Sequence, residues 1–213
     1  MEVITDFFSN ISNPEELIKW GGLIILIIIV FAETGLLIGV FLPGDSLLLT
    51  AGLLASQGYP FPDIFTLNVS LIAAAVLGDT VGYWFGNKTG SKIFVKEKSL
   101  LFDRKYLVNA HDFYGKYGGK AIIYARFLPF IRTFAPIIAG MANMNYKKFI
   151  IYNVSGGILW VASLTILGYY FGHIDFVKYN FEYVIISVFI FSGLPVVLGY
   201  FRHKNGKAKE TNE

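Results

Sequence analysis

Residues 126–140, Arg-Phe-Leu-Pro-Phe-Ile-Arg-Thr-Phe-Ala-Pro-Ile-Ile-Ala-Gly, place two arginines and two prolines inside one apolar run. A cation at membrane depth costs roughly 2.5–3.5 kcal/mol even on the mild insertion scale, so it normally faces a cavity or a partner and marks a pathway. The blander reading, that both arginines snorkel to an interface, is opposed by the apolar residues on either side of each. Pro129 and Pro136 each remove an N–H and crowd the preceding turn, so both are expected to break the run.

The surrounding composition sets the solvent. The chain has 213 residues, 54% hydrophobic and 15% charged, with charge nearly absent from long blocks and dense between them. That pattern belongs to an integral membrane protein and reads as one membrane domain over residues 1–201. Cysteine is absent, which excludes disulfides, thiolate metal sites and cysteine nucleophiles. His111, His173 and His203 are far apart and give no metal-ligand spacing. Neither a metal nor a cofactor is expected.

Upstream, residues 1–16 lack the basic region and cleavage site of a signal peptide. Ser12 or Asn13, then Pro14 and two glutamates, reads as a helix start. The apolar block from Trp20 to about Leu54 is too long for one crossing and too short for two, at about 20 residues each. It carries Glu33 and breaks at Pro43-Gly44-Asp45, so a span followed by a re-entrant hairpin is expected, covered by protein or a watery cavity. Residues 56–63 form a turn-rich loop without a basic residue. Ile64 to Gly86 is long enough to span and contains Asp79.

Residues 87–120 hold eight Lys/Arg against three acids, and the segment 87–119 reads as an interfacial helix on the cytoplasmic side. Lys147, Lys148 and the basic tail at 202–213 belong on the same face. Phe149 to Gly172 and Phe181 to Phe201 can both span. The parity holds only if 120–145 enters and leaves on the cytoplasmic face, as a second re-entrant hairpin. A cytoplasmic C-terminus follows, and by the same count a cytoplasmic N-terminus.

Two motifs recur at an offset of 86. Phe41-Leu42-Pro43 returns as Phe127-Leu128-Pro129, and Gly82-Tyr83-Trp84-Phe85-Gly86 as Gly168-Tyr169-Tyr170-Phe171-Gly172. Ala51-Gly52 returns as Ala139-Gly140, slipped by two. Repeat 1 is therefore about 33–86 and repeat 2 about 120–172. With one crossing between the hairpins the halves are inverted, so their tips should meet near the midplane, as in secondary transporters. The expected fold is all-α and polytopic: two re-entrant hairpins, each followed by a span, with flanking spans and a final one at 181–201.

The first hairpin carries Glu33 and Asp45, the second Arg126 and Arg132. These can form a static salt bridge, or a site where an anion binds the arginines while the carboxylates exchange protons. Arginine's fork matches phosphate oxygens. Asp79 reads more readily as a tie between helices than as a substrate contact. Gly44-Asp45-Ser46-Leu47 spells the tetrapeptide of a class of serine hydrolases. That chemistry needs an Asp-x-x-His segment, which is missing, and a soluble α/β sheet edge. A lipid phosphatase would need a histidine near the arginines, and neither hairpin has one. No enzyme activity is expected. A proton-coupled ion or drug antiporter stays open as a rival.

At this point the residues resemble the DedA (VTT-domain, SNARE-associated) membrane proteins, over about residues 20–175. The resemblance rests on Glu33 with Pro43-Gly44-Asp45 and Leu49-Thr50-Ala51-Gly52, and on Gly78-Asp79 with Gly82-Tyr83 and Gly86. It rests most specifically on the pattern from Arg126 to Gly140, with Met144 and Phe149, and further on Asn153, Gly157, Trp160 and Gly168-Tyr169. Ala125 and Asn87 depart from the family pattern, where Gly and Arg are usual. The resemblance implies lipid transport across the bacterial cytoplasmic membrane: a flippase for undecaprenyl phosphate or a related anionic lipid, driven by the proton motive force, or a phospholipid scramblase like the eukaryotic relatives. It implies Arg126 and Arg132 as substrate-binding residues and Glu33 and Asp45 as the proton-coupling pair. The expected partners are an anionic lipid, protons and the membrane, with no nucleic acid; the sequence carries nothing on oligomeric state.

Overall fold

A computed structural model describes residues 14–36, 42, 44–57, 62–93 and 117–174. The expectations for residues 1–13, Pro43, most of the segment 87–119, the final span at 181–201 and the tail at 202–213 lie outside the described residues. Within them the chain is all-helical, in six helices: α1 Pro14–Gly35, α2 Gly44–Ser56, α3 Ile64–Ile93, α4 Lys120–Arg126, α5 Pro129–Met141 and α6 Tyr146–Phe171.

α1 begins at Pro14, where a missing N–H costs nothing because the first turn has no partner for it. It bends at Gly22, whose φ of 57° and ψ of −149° lie in a region open essentially to glycine alone. α2 opens on Gly44, with Asp45 in its first turn. α3 is capped by Asp63, whose Oδ1 accepts from the Phe65 and Thr66 N–H groups at 3.0 Å each and whose Oδ2 accepts from the Thr66 hydroxyl at 2.6 Å. The Thr66 hydroxyl, with backbone N–H groups behind it, holds the Asp63 carboxyl below the usual aspartate range. The cap is therefore complete above the ordinary aspartate pKa and is lost as pH falls through the lowered value. In acid, Phe65 and Thr66 amides are expected to exchange faster relative to mid-α3 amides, and Asp63→Ala should give that pattern already at neutral pH. Hydrogen exchange reads both.

α3 runs past Gly86, where the sequence reading ended the span, to Ile93. No proline intervenes, Gly90 is carried inside the helix, and Asn87 ties the extension to the end of α5, donating to Asn143 Oδ1 at 3.0 Å and Gly140 O at 3.3 Å. The break between α4 and α5 falls at Phe127-Leu128. Leu128 is extended (φ −112°, ψ 108°), as a residue before proline prefers, and Pro129 starts α5. Pro136, expected to be a second break, lies inside α5 instead. A single proline removes one helix bond, which membrane helices tolerate when neighbours cover the site. Here its ring lies over Gly82 of α3, where a Cβ would sit 3.5 Å away. α5 ends on Asn143 in the left-handed region (φ 53°), with Met144 N bonded to Ala139 O and Asn143 N to Gly140 O, both 3.0 Å. Asn145 caps α6, its side chain accepting from Lys147 N at 3.0 Å.

Ile64–Thr89 and Tyr146–Phe171 are each 26 residues and apolar enough to cross a membrane. That is about 39 Å of helix against a hydrocarbon core of about 30 Å. α2 and α5 have 13 residues each, only about 20 Å. α2 lies along α6, and α5 along α3. Each seam is closed by two glycines set against backbone. A Cβ on Gly52 would strike the Thr165 carbonyl and one on Gly168 the Leu49 carbonyl; Gly140 meets Tyr83 O and Gly86 meets Ile137 O in the same way.

Polarity is distributed inside out. Phe65, Val69, Leu77, Val81 and Trp84 of α3 and Ile151, Ile158, Leu159, Ile166 and Leu167 of α6 are exposed. Glu33, Asp79, Arg126, Arg132, Thr133 and Asn153 are buried. In water such outer faces would drive aggregation; against lipid tails they are at home. Aliphatic side chains of α1 and leucines and alanines of α2 and α3 form one cluster with Trp160 and Val161 of α6.

Candidate functional site

The helix breaks put the charges where they meet. Glu33 stands in the last turn of α1 and Asp45 in the first turn of α2. Arg126 ends α4, and Arg132 is in the first turn of α5. Asp79 comes from the middle of α3, and Asn153 and Trp160 from α6. All six helices thus contribute to one buried polar centre.

Arg132 holds both acids of the first hairpin. Its Nη2 donates to Glu33 Oε1, and its Nη1 to Asp45 Oδ1 at 2.6 Å. The Thr133 hydroxyl beside it donates to the Glu33 carbonyl at 3.1 Å. Gly44 leaves room for the Glu33 carboxylate, since a Cβ there would overlap Oε2. Arg126 touches neither of those acids. Its Nη2 donates to Asp79 Oδ2 and to Asn153 Oδ1, and Asn153 Nδ2 donates in turn to the Val76 carbonyl at 3.1 Å. Asp79 thereby bridges α3 to Arg126 at the end of α4. Arg126 lies across a two-glycine surface of α6, with its Cδ 3.0 Å from where a Gly156 Cβ would be.

Trp160 joins the two halves of the centre. Its Nε1–H donates to Asp45 Oδ1 at 2.8 Å. The Arg132 guanidinium lies 4.6 Å and the Arg126 guanidinium 6.0 Å from the indole centroid. Neither Trp160 nor Asn153 received a role from the sequence. Asn153 carried a signal all the same, as an amide within an apolar helix.

Access and saturation are uneven. Asp45 has 20% of its side chain exposed, whereas the Glu33, Asp79, Arg126 and Arg132 side chains are at 5% or less. Among the described residues, four buried side-chain atoms have no hydrogen-bond partner: Glu33 Oε2, Arg126 Nε, Arg126 Nη1 and Arg132 Nε. Buried polar groups are normally paired, and unpaired guanidinium N–H groups suit an anionic acceptor. Three carboxylates face two guanidiniums, so the fully ionised centre carries one excess negative charge.

The sequence pattern of the VTT domain matches residues 42–170. Over 185 residues the chain is 46% identical to protein DedA of Escherichia coli K12, covering 87% of this chain and 84% of that protein. It is 43% identical to an uncharacterized membrane protein of Mycobacterium leprae over 186 residues, 87% of this chain and 82% of the relative. Inner membrane protein YqjA of E. coli is 35% identical over 210 residues, 93% and 92% of the two chains. No solved structure matches the chain. With a VTT domain covering every residue of the charged centre but Glu33, and close likeness to DedA and YqjA along most of its length, the chain belongs to the DedA (VTT-domain) family of membrane proteins.

Proposed function

We propose that this protein carries an anionic lipid phosphate, undecaprenyl phosphate or a close relative, across the bacterial cytoplasmic membrane in a movement coupled to the proton motive force, with its C-terminus on the cytoplasmic side. The observation that carries the reading is the pair of buried arginines with unpaired N–H groups, enclosed in a bundle whose outer surface is apolar. Phosphate oxygens are the natural acceptors for those donors. Arg126 and Arg132 bind the head group while the tail stays in the bilayer. Glu33 and Asp45 carry the coupling proton. When the phosphate draws Arg132 away from them, two neighbouring carboxylates lose their shared cation, and taking up a proton offsets the repulsion. Asp79 and Asn153 keep Arg126 in place.

Two re-entrant hairpins in an inverted repeat are part of this reading. α2 and α5 are too short to cross, and each lies on the long helix of the other repeat. The slip of two residues seen for Ala-Gly in the sequence reappears in the seams: Leu49 and Gly52 in the first, Ile137 and Gly140 in the second. Equivalent arms packed on opposite spans are what a pseudo-two-fold axis in the membrane plane produces.

The test uses proteoliposomes holding labelled undecaprenyl phosphate or, in parallel, labelled phosphatidylglycerol, with and without a pH gradient. Gradient-dependent movement of the polyisoprenyl phosphate alone is the expected result. Equal movement of both lipids without a gradient would make the protein a scramblase. Movement of neither, with proton-linked ion flux, would replace the lipid reading by an antiporter.

A further inference from the structure

Trp160 is the one neutral side chain hydrogen-bonded to a side chain of the Glu33–Asp45–Arg132 group among the described residues, and the transport scheme above does not use it. A buried indole usually satisfies its N–H with whatever acceptor is near. Trp160 gives its N–H to Asp45 Oδ1, the same oxygen that accepts from Arg132 Nη1. The ring is 1% exposed and packed among Leu47, Leu48, Ala51 and Val161, so it has no room to swing. Arg132 differs. It has a long flexible stem, a free Nε–H and two carboxylates to leave.

These facts set a problem that any ligand taking Arg132 must meet. When the guanidinium turns to a phosphate, Asp45, with four-fifths of its side chain covered, loses its cation, and a largely buried carboxylate left without a protein donor is disfavoured. The indole N–H is the donor that stays. Its ring also lies 4.6 Å from the Arg132 guanidinium and 6.0 Å from that of Arg126, so one fixed indole serves as the reference for both. We infer that Trp160 is a positioning residue for head-group transfer: its N–H keeps Asp45 anchored while Arg132 passes from the carboxylates to the lipid phosphate, and its ring holds the two arginines in register. The inference rests on the lipid-phosphate reading for its consequence, but the Trp160–Asp45 bond it depends on can be measured without lipid.

Trp160→Phe keeps the ring face and removes the N–H. In proteoliposomes with labelled undecaprenyl phosphate, this variant is expected to translocate about tenfold more slowly, the scale of one hydrogen bond to a charged group. Binding of the same lipid in detergent should weaken by less than about threefold, because both arginines keep their platform. In an Asp45→Asn background the same substitution should add less than about twofold, since the effect runs through Asp45. An equal loss in both backgrounds, or no loss in either, overturns the inference and leaves Trp160 as packing. Without lipid, the indole N–H band in ultraviolet resonance Raman, isolated by difference against Trp160→Phe, should keep its hydrogen-bonded position in Arg132→Gln and Arg132→Ala. Its shift to the free position overturns the anchoring role whatever the protein transports. A persistent band in a wild type that moves no lipid supports the anchor and removes the transport reading alone.

Discussion

Replacing Arg132 by alanine is expected to reduce lipid-phosphate translocation at least about 100-fold and to destabilise the bundle by about 3–5 kcal/mol, the scale for removing one partner of a buried ion pair. The two effects have different origins. Stability falls because Glu33 and Asp45 stay buried beside each other with no cation between them. Transport falls because the head group loses a two-pronged donor. Lysine should not rescue either property fully: one ammonium cannot reproduce the fork in which Nη1 serves Asp45 and Nη2 serves Glu33. The triple variant Glu33→Gln/Asp45→Asn/Arg132→Met separates the effects. Neutralising all three groups should recover most of the stability, as replacing a whole buried ion network often does, and should recover no transport. Unfolding in detergent and translocation in proteoliposomes read the two axes. A triple variant that moves lipid at the wild-type rate would remove Arg132 from the phosphate site.

Much of this was legible in the chain because its signals are local. Leu128-Pro129 makes a helix break by steric conflict between neighbours, and the break appears where the sequence has it. Pro14 starts a helix by chemistry that a few residues contain; the Asn145 cap, ahead of the span read from Phe149, went unread. Pro136 misleads because its effect is decided elsewhere, by the smooth surface that Gly82 of α3 offers to its ring. The bend at Gly22 was hidden in an apolar block, where a glycine pair is as compatible with straight helix as with a kink. The charges were legible as a set but not as pairs. Which arginine takes which acid depends on the rotation of α3 and α5 about their axes, so Arg126 on Asp79 and Arg132 on Glu33 and Asp45 emerge only in three dimensions. Asn153 and Trp160 stayed without roles because a neutral partner leaves no charge imbalance to notice.

The seams permit a sharper test, inside one recurring motif. Gly82 and Gly86 lie one turn apart on α3 and both face α5, yet alanine should have opposite effects at the two. At Gly82 a Cβ would meet Ile137 Cγ1 at 3.4 Å, an ordinary contact. The gain in helix propensity, up to about 1 kcal/mol, then leaves Gly82→Ala neutral or stabilising. At Gly86 a Cβ would run into the Ile137 carbonyl, which cannot step aside without parting the helices. Gly86→Ala should cost about 1–3 kcal/mol or more, the range for overpacking a close contact. In the other seam the tighter backbone contact is at the first glycine of the motif: a Cβ on Gly168 would come 2.0 Å from the Leu49 carbonyl, whereas one on Gly172 would meet the Ser56 hydroxyl at 2.0 Å and the Leu53 carbonyl only at 3.1 Å. Gly168→Ala should therefore match Gly86→Ala in size, although the two are not equivalent at the offset of 86. The long helices are engaged one turn apart in the two halves, while the short arms keep their slip of two. Unfolding of the three single variants in detergent decides it. If Gly82→Ala proves costly and Gly86→Ala benign, α5 sits one turn away along α3. Arg132, one turn before Pro136 on α5, would then be displaced by about 6 Å from the acids it now holds.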